Sequence, residues 1–324
     1  MENLTREQAY DSCERMMSGS EKDSVVAETL VALNEKGETA EEVIGFTRCL
    51  LDHALKIPYE VGTIDLCGTG GSTGSRFNVS TAAAFVVSAI GGKVAKHGNR
   101  GSKNPNGSFD FLEALDVPVD LNGAALANLL DKTNLAFIYA RKFHPVMSTV
   151  AAARKIANRR TIFNLAGPLS NPTKVKHQVI GTVDTAFSTI LMEAALSLGR
   201  ERVTVVSGHE GIDELSVSGP SSILKSWEQK QGKQIWEPSA IGLPAITGEE
   251  IPSGDAKTNA KIFLDLLEGK APKSVEDMIA VNAALVLECA RLTPTIEEGY
   301  KISREIIKTG AAKKQFLKYR ELAR

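Results

Sequence analysis

The sequence has almost no surplus charge of either sign: 38 lysines and arginines face 39 aspartates and glutamates, a net charge of −1 over 324 residues. That balance lacks the broad basic field used in general nucleic-acid or membrane attraction, so at most a local basic groove remains open. Cysteine is scarce too. Cys13, Cys49, Cys67 and Cys289 are scattered, with no CxxC pair, and they read as free thiols of a reducing compartment. No apolar run approaches the ~18 residues of a membrane-spanning helix. The opening MENLTREQAY is polar and acidic, unlike a signal or transit peptide. Internal repeats and low-complexity tracts are also missing. What is present is ordinary globular composition, 43% hydrophobic and 24% charged, with length enough for one large domain or two modest ones. A soluble, cytoplasmic protein is expected.

The first sixty residues read as three helices. Thr5 and Gln8 have capping-box spacing before a helix through Met17. A second helix is expected over 24–35, stopping at Gly37. Thr39 and Glu42 open a third, its apolar positions recurring at helical intervals until Pro58 ends it. From Ile64 the pattern becomes strand, Gly-rich turn, helix. Strands are expected at 64–67, 93–96, 135–139 and 202–206. Helices are expected at 80–90, with Ser80 or Thr81 near its N-cap, and at 146–157 and 185–199. Such alternation predicts a mostly parallel sheet covered on both faces. Residues 240–324 return to helices. The expected organisation is a small all-helical domain, 1–63, and a large α/β domain, 64–324, with a segment near 165–180 as a possible addition to the first.

The chemistry concentrates at turns. Gly68-Thr69-Gly70-Gly71-Ser72-Thr73-Gly74 has four glycines in seven residues, followed by Asn78-Val79-Ser80-Thr81 at a helix start. Free backbone N–H groups and the helix dipole make such a junction an anion site, although Gly-rich turns also occur for structural reasons alone. No Gly-Lys-Ser/Thr follows and the GxGxxG spacing is not met, so neither a Walker A loop nor a dinucleotide fingerprint is indicated. Lys96-His97-Gly98-Asn99-Arg100 ends the second strand on the same sheet edge, where ligands of open α/β sheets bind. Lys96 suits a phosphate and Asn99 a polar organic group; a solvated basic turn is the plain alternative. His97 reads as an orienting or packing residue. Asp213-Glu214 offers oxygen ligands for Mg²⁺, or is simply an exposed acidic pair. Arg154 can pair with a substrate carboxylate through its planar fork, or lie solvated on its helix. Between Arg160 and Pro172 the two Pro punctuations mark a shaped loop or hinge.

Taken together and in this order, GTGG, FNVSTA, VAKHGNR, HPVM, RTIFNLAGPLSNP and GIDEL resemble the anthranilate phosphoribosyltransferase family of tryptophan biosynthesis. The likeness covers most of the chain and is strongest over 64–220. It implies a helical domain, commonly used for homodimerisation, and an α/β domain of the nucleoside phosphorylase type. By this resemblance Gly68, Gly70, Gly71, Asn78, Ser80, Thr81, Lys96 and Ser108 surround phosphoribosyl pyrophosphate. Ser80, Asp213 and Glu214 match magnesium positions. Asn99, Arg154, His97 and Gly167 match the surroundings of the aromatic amine acceptor, with Arg154 meeting its carboxylate.

The chain departs from the family pattern at several positions. Ser72 stands where the family has aspartate, Arg76 where a small residue is usual, Arg141 where proline is common and Val146 where alanine is. The loop from Gly101 to Ser108 carries Lys103 and Pro105 in place of a serine-rich run. Arg76 and Lys103 are expected to supply cationic phosphate contacts instead of the missing serines. Anthranilate is therefore the first expected acceptor, and a paralogue using another aromatic acceptor the alternative. A non-catalytic nucleic-acid-binding member is a third reading, which the near-neutral charge disfavours.

Overall fold

A computed structural model describes residues 1–70, 77–101, 105–208, 211–227, 230–244, 246 and 251–324, without the side chains of 227, 230 and 231. Three helices come first: α1 (Arg6–Met17), α2 (Asp23–Lys36) and α3 (Ala40–Asp52). The Thr5/Gln8 and Thr39/Glu42 boxes both form, each satisfying orphan N–H groups at a helix start. Gly37 ends α2 with a positive φ of 87°. α3 stops at Asp52, before Pro58, because the chain then turns to let the Leu55 N–H bond the Phe143 carbonyl.

The chain continues with β1 (Thr63–Gly68), α4 (Val79–Ala89), β2 (Val94–Gly98), α5 (Ser108–Ala114), α6 (Gly123–Thr133), β3 (Leu135–Tyr139), α7 (Ala140–Phe143), α8 (Ala151–Ala157) and α9 (Phe163–Leu169). Then come β4 (Val175–Gly181), α10 (Ser188–Ser197), β5 (Arg202–Gly208), β6 (Ser221–Trp227) and β7 (Lys230–Trp236). Four helices close the fold: α11 (Ala256–Leu267), α12 (Lys273–Cys289), α13 (Ile296–Lys308) and α14 (Ala311–Leu322).

The sheet order is β3-β2-β1-β4-β5-β6-β7, parallel through β5 and antiparallel beyond it. Successive residues of β4 face opposite cores, as a pleated strand requires. Val179 belongs to a large core with α4, α5 and the C-terminal helices. Ile180 belongs to a second core that joins α1–α3 with α8, α9 and α10. The helical N-terminus is thus packed against one sheet face through shared side chains such as Phe46, whose ring meets that of Phe163 edge-on with centroids 5.4 Å apart.

Several elements differ from the sequence expectation. α4 starts one residue earlier than expected, at Val79, with Asn78 at the N-cap position and Ser80 and Thr81 in its first turn. The stretches expected as helices at 146–157 and 185–199 each begin with a short 3₁₀ turn before the α-helix. The expected loop after Arg160 contains α9, with Pro168 inside it near its end. β4 was not anticipated, although it lies at the middle of the sheet. Its polar residues interrupt the apolar run, and Gln178 is fully buried because it bonds other buried polar groups.

Candidate active site

Four strands of the parallel set end in glycine, at Gly68, Gly98, Gly181 and Gly208, and each glycine makes room for something. A Cβ on Gly68 or Gly181 would overlap Asp213, and one on Gly208 would lie 2.8 Å from the Glu214 carbonyl. The Asp213-Glu214 pair is therefore laid directly across the carboxyl ends of β1, β4 and β5. Gly208 donates its N–H to the Ile212 carbonyl at 2.9 Å, closing the turn. Asn282 of α12 then holds the following residue, accepting from the Leu215 N–H at 2.8 Å and donating to its carbonyl at 2.9 Å. Both carboxylates are half-buried, and their negative field favours the charged form of nearby Lys96.

Beside this pair the chain leaves β1 through Gly68, Thr69 and Gly70. Thr69 donates its N–H to the Gly181 carbonyl at 2.9 Å, and Gly70 has φ +68°, with open space beside it as far as the described residues go. α4 then begins at Asn78, whose side chain does not cap it. Thr81, only 1% exposed, has a hydroxyl with no hydrogen-bond partner among the described residues. An uncapped first turn with a buried, unpaired hydroxyl is what an anion-binding helix start requires. Lys96 is 3% exposed and donates to the Leu66 carbonyl at 2.9 Å. Burial lowers its pKa, opposed by the fields of Cys67, Asp65, Asp213 and Glu214. Beneath it Asp65 accepts from the His97 N–H at 3.1 Å and from Gln178 at 3.2 Å. Gln178 in turn accepts from Arg200, whose pKa burial brings down to about 10.

Asn99 and Ser108 meet at the end of β2. Ser108 fills the space that Gly98 leaves and donates to the Asn99 carbonyl at 3.1 Å. Asp110 gathers the loop's neck, accepting the Gly101 and Gly107 N–H groups at 2.8 Å each. Asn259 of α11 donates to Asn78 at 3.0 Å and to Asn106 at 3.1 Å, while Asn78 donates to the Asn106 carbonyl at 3.1 Å. One buried amide thereby ties the helix start, the Asn106 loop and a C-terminal helix together. Asn78 retains one amide hydrogen for a ligand. Gly71, Ser72, Arg76 and Lys103 lie outside the described residues.

The acceptor-side candidates form a second line of contacts. Asn99 uses its side-chain carbonyl to accept the Arg100 N–H at 2.8 Å, which leaves its NH₂ group available. His97 is buried and meets His144 edge-on at 5.2 Å. Burial, His144 and Lys96 push its pKa well down, against a hydrogen bond to the Gly167 backbone. Gly167 itself faces open space. One turn earlier in α9, Phe163 lies under the Arg154 guanidinium, 5.7 Å from its ring centroid. Arg154 is half-buried, and desolvation lowers its pKa. It has no carboxylate partner among the described residues.

The sequence reading missed Asn259, Asn282, Asp110 and the Asp65–Gln178–Arg200 network. A signal existed for the first two. Each is an amide within an otherwise apolar helical stripe, alongside Ala256, Ala260 and Phe263 in α11 and Met278, Ile279 and Leu285 in α12. A buried polar residue there implies a partner from another element.

Comparison with known proteins gives the same picture from an independent direction. Residues 1–54 match the family described as the helical bundle domain of a glycosyl transferase family, and 60–313 match its a/b domain. Anthranilate phosphoribosyltransferase of Thermoanaerobacter sp. (strain X514) is 38% identical over 96% of this chain and 92% of its own length. The crystal structure of the enzyme so named from Thermus thermophilus superposes with a TM-score of 0.93 at 32% identity, covering 99% of this chain and 96% of that one. The Saccharomyces cerevisiae enzyme, solved in complex with PRPP and Mg, reaches 0.89 at 25% identity over 99% and 93% of the two chains.

Proposed function

This chain belongs to the anthranilate phosphoribosyltransferase family, and from that premise we propose that it transfers the phosphoribosyl group of phosphoribosyl pyrophosphate to the amine of anthranilate. The reaction is a pentosyl transfer of tryptophan biosynthesis. The observation that carries the reading is the seating of Asp213 and Glu214 on three strand-end glycines, beside an uncapped helix start with an unpaired Thr81 hydroxyl.

The donor's C1–oxygen bond breaks with its electron pair leaving on pyrophosphate, and the amine lone pair forms the new C1–nitrogen bond. The amine gives up a proton as pyrophosphate departs. An arylamine is neutral near pH 7, so the chain needs no strong general base. Its work is orientation and charge stabilisation. Gly68, Gly70 and Gly71, with the first turn of α4 (Ser80 and Thr81), Asn78 and Ser108, surround the phosphates, and buried Lys96 adds positive charge below them. Mg²⁺ fits the half-buried oxygen set of Asp213 and Glu214, joined by the Ser80 hydroxyl, and when bound it neutralises pyrophosphate charge. Arg154 holds the acceptor carboxylate, Asn99 orients its polar edge, and the space at Gly167 admits the ring. His97 supports that wall from behind.

The finer setting is a cytoplasmic homodimer formed through the helical unit of residues 1–63, with 64–324 as the catalytic unit. The dimer reading is supported by the exposed apolar Val25 of α2, and by the exposed Ile156 of α8, a helix of the larger unit that packs against α2.

The test is Mg²⁺-dependent loss of anthranilate fluorescence in the presence of phosphoribosyl pyrophosphate. Turnover is expected for the native chain. The double variant Asp213→Asn, Glu214→Gln is expected to lose activity and Mg²⁺ activation together. Donor binding without turnover of millimolar anthranilate would assign a different aromatic acceptor, and retained Mg²⁺ activation in the double variant would remove the pair from the mechanism.

A further inference from the structure

Far from the strand ends, α1 and α3 bring a cysteine, a histidine and a glutamate to one point. His53, the C-cap of α3 with helical backbone angles, comes four residues after Cys49, so the two share a face. Glu14 reaches them from α1. Its Oε2 lies 2.8 Å from His53 Nε2 and 3.4 Å from Cys49 Sγ, and the three ligand atoms lie within 4.8 Å of one another. A tetrahedral zinc ion with ordinary bond lengths holds a sulfur and an oxygen ligand about 3.5 Å apart, and a nitrogen and an oxygen about 3.3 Å apart. The present spacing is thus near that of a coordinated set and needs only small side-chain movement.

We infer that Glu14, Cys49 and His53 form a second metal site, for a borderline divalent ion of the zinc class. The donor set is mixed thiolate, imidazole and carboxylate, which suits zinc better than magnesium. The geometry also offers a way in. Cys49 is buried, whereas the side chains of His53 and Glu14 are 39% and 47% exposed, so the fourth coordination position faces solvent. Behind the site the environment is soft as well: the Met17 thioether lies 3.9 Å from Cys49 Sγ and 4.0 Å from Cys13 Sγ. Binding releases the Cys49 thiol proton to solvent, so affinity rises with pH. The ion joins α1 to α3 and stabilises the packed form by mass action.

The experiment uses the full chain after chelation, titrated with Co²⁺ and then Zn²⁺. To keep metal out of the strand-end carboxylates it is repeated in the Asp213→Asn, Glu214→Gln background. A thiolate-to-cobalt absorption band that saturates at one equivalent is expected, lost on addition of Zn²⁺. Cys49→Ser abolishes the band and Cys13→Ser leaves it. Glu14→Gln and His53→Gln change partly exposed side chains, and each weakens zinc binding at least tenfold in competition with a chromophoric chelator. Absence of the band, its persistence in Cys49→Ser, or unchanged zinc affinity in both exposed variants would overturn the site and leave an ordinary ion pair with a thiol beside it.

Discussion

At Arg154 burial and charge pull in opposite directions. The guanidinium is half-buried over Phe163 and is partly desolvated, without a carboxylate among the described residues to offset the loss. A planar carboxylate arriving there would make charge-assisted hydrogen bonds worth about 1.5–3 kcal/mol. Arg154→Ala is expected to raise the apparent KM for the acceptor about 10- to 100-fold on that energy. The donor's KM should move by no more than about twofold, since no donor interaction changes. Steady-state kinetics with each substrate varied in turn would show the split, and equal changes in both would mark Arg154 as structural. The residue was readable in the sequence as a cation near the right motifs. Its burial was not, because that depends on Phe163 arriving from the next helix.

Helix starts were readable wherever the chemistry is local. Thr5 with Gln8 and Thr39 with Glu42 both form their boxes because all the groups involved lie within four residues. β4 escaped because its pattern only makes sense with a partner: Gln178 is buried on account of Asp65, 113 residues away. α9 looked like a loop because it carries the Gly167-Pro168 pair and is followed by Asn171-Pro172, yet its Pro168 carbonyl is bonded from β1 and β4. The Asn259 clamp belongs to this same class of long-range bonds. Asn259→Ala leaves Asn78 and Asn106 with fewer partners, at a cost of about 1–3 kcal/mol in stability. Its KM for phosphoribosyl pyrophosphate should rise several-fold while the acceptor KM stays near native. Amide hydrogen exchange in the Asn106 segment should also quicken. A stability loss with no donor-specific change in KM would confine Asn259 to a structural role.

Across the whole molecule, the helical layer and the α/β layer meet at His97 and His144. His144 Nδ1 lies 3.3 Å from the Leu50 carbonyl of α3, and its ring abuts His97 of β2. Burial depresses both pKa values from the usual 6.5, His97's the more strongly, and so favours the neutral rings in the folded state. An unfolded chain takes up these protons as pH falls through about 6.5, whereas the folded chain does not, so stability is present above that value and declines below it. For His97 the slope approaches about 1.4 kcal/mol per pH unit. Urea denaturation at pH 7.5 and 5.5 should show a lower midpoint at the acidic pH. A smaller drop is expected in His97→Asn, and an unchanged midpoint in the native chain would mean that the histidines are charged in place.

The sequence by itself determined the fold class, the three N-terminal helices with the capping boxes of α1 and α3, the strand-end positions of the glycine and lysine motifs, and the family. Those features follow from local hydrogen bonding, from periodicity, and from side-chain types in a fixed order along the chain. Only the tertiary structure decided what the glycines are for. Gly68 and Gly181 lack side chains because Asp213, reached through a different stretch of chain, lies against them. It also decided that Asn259 and Asn282 brace the site's loops and that Glu14 meets Cys49 and His53. These contacts join residues far apart in sequence. Their energies depend on burial and on the partner's position, neither of which a linear pattern contains.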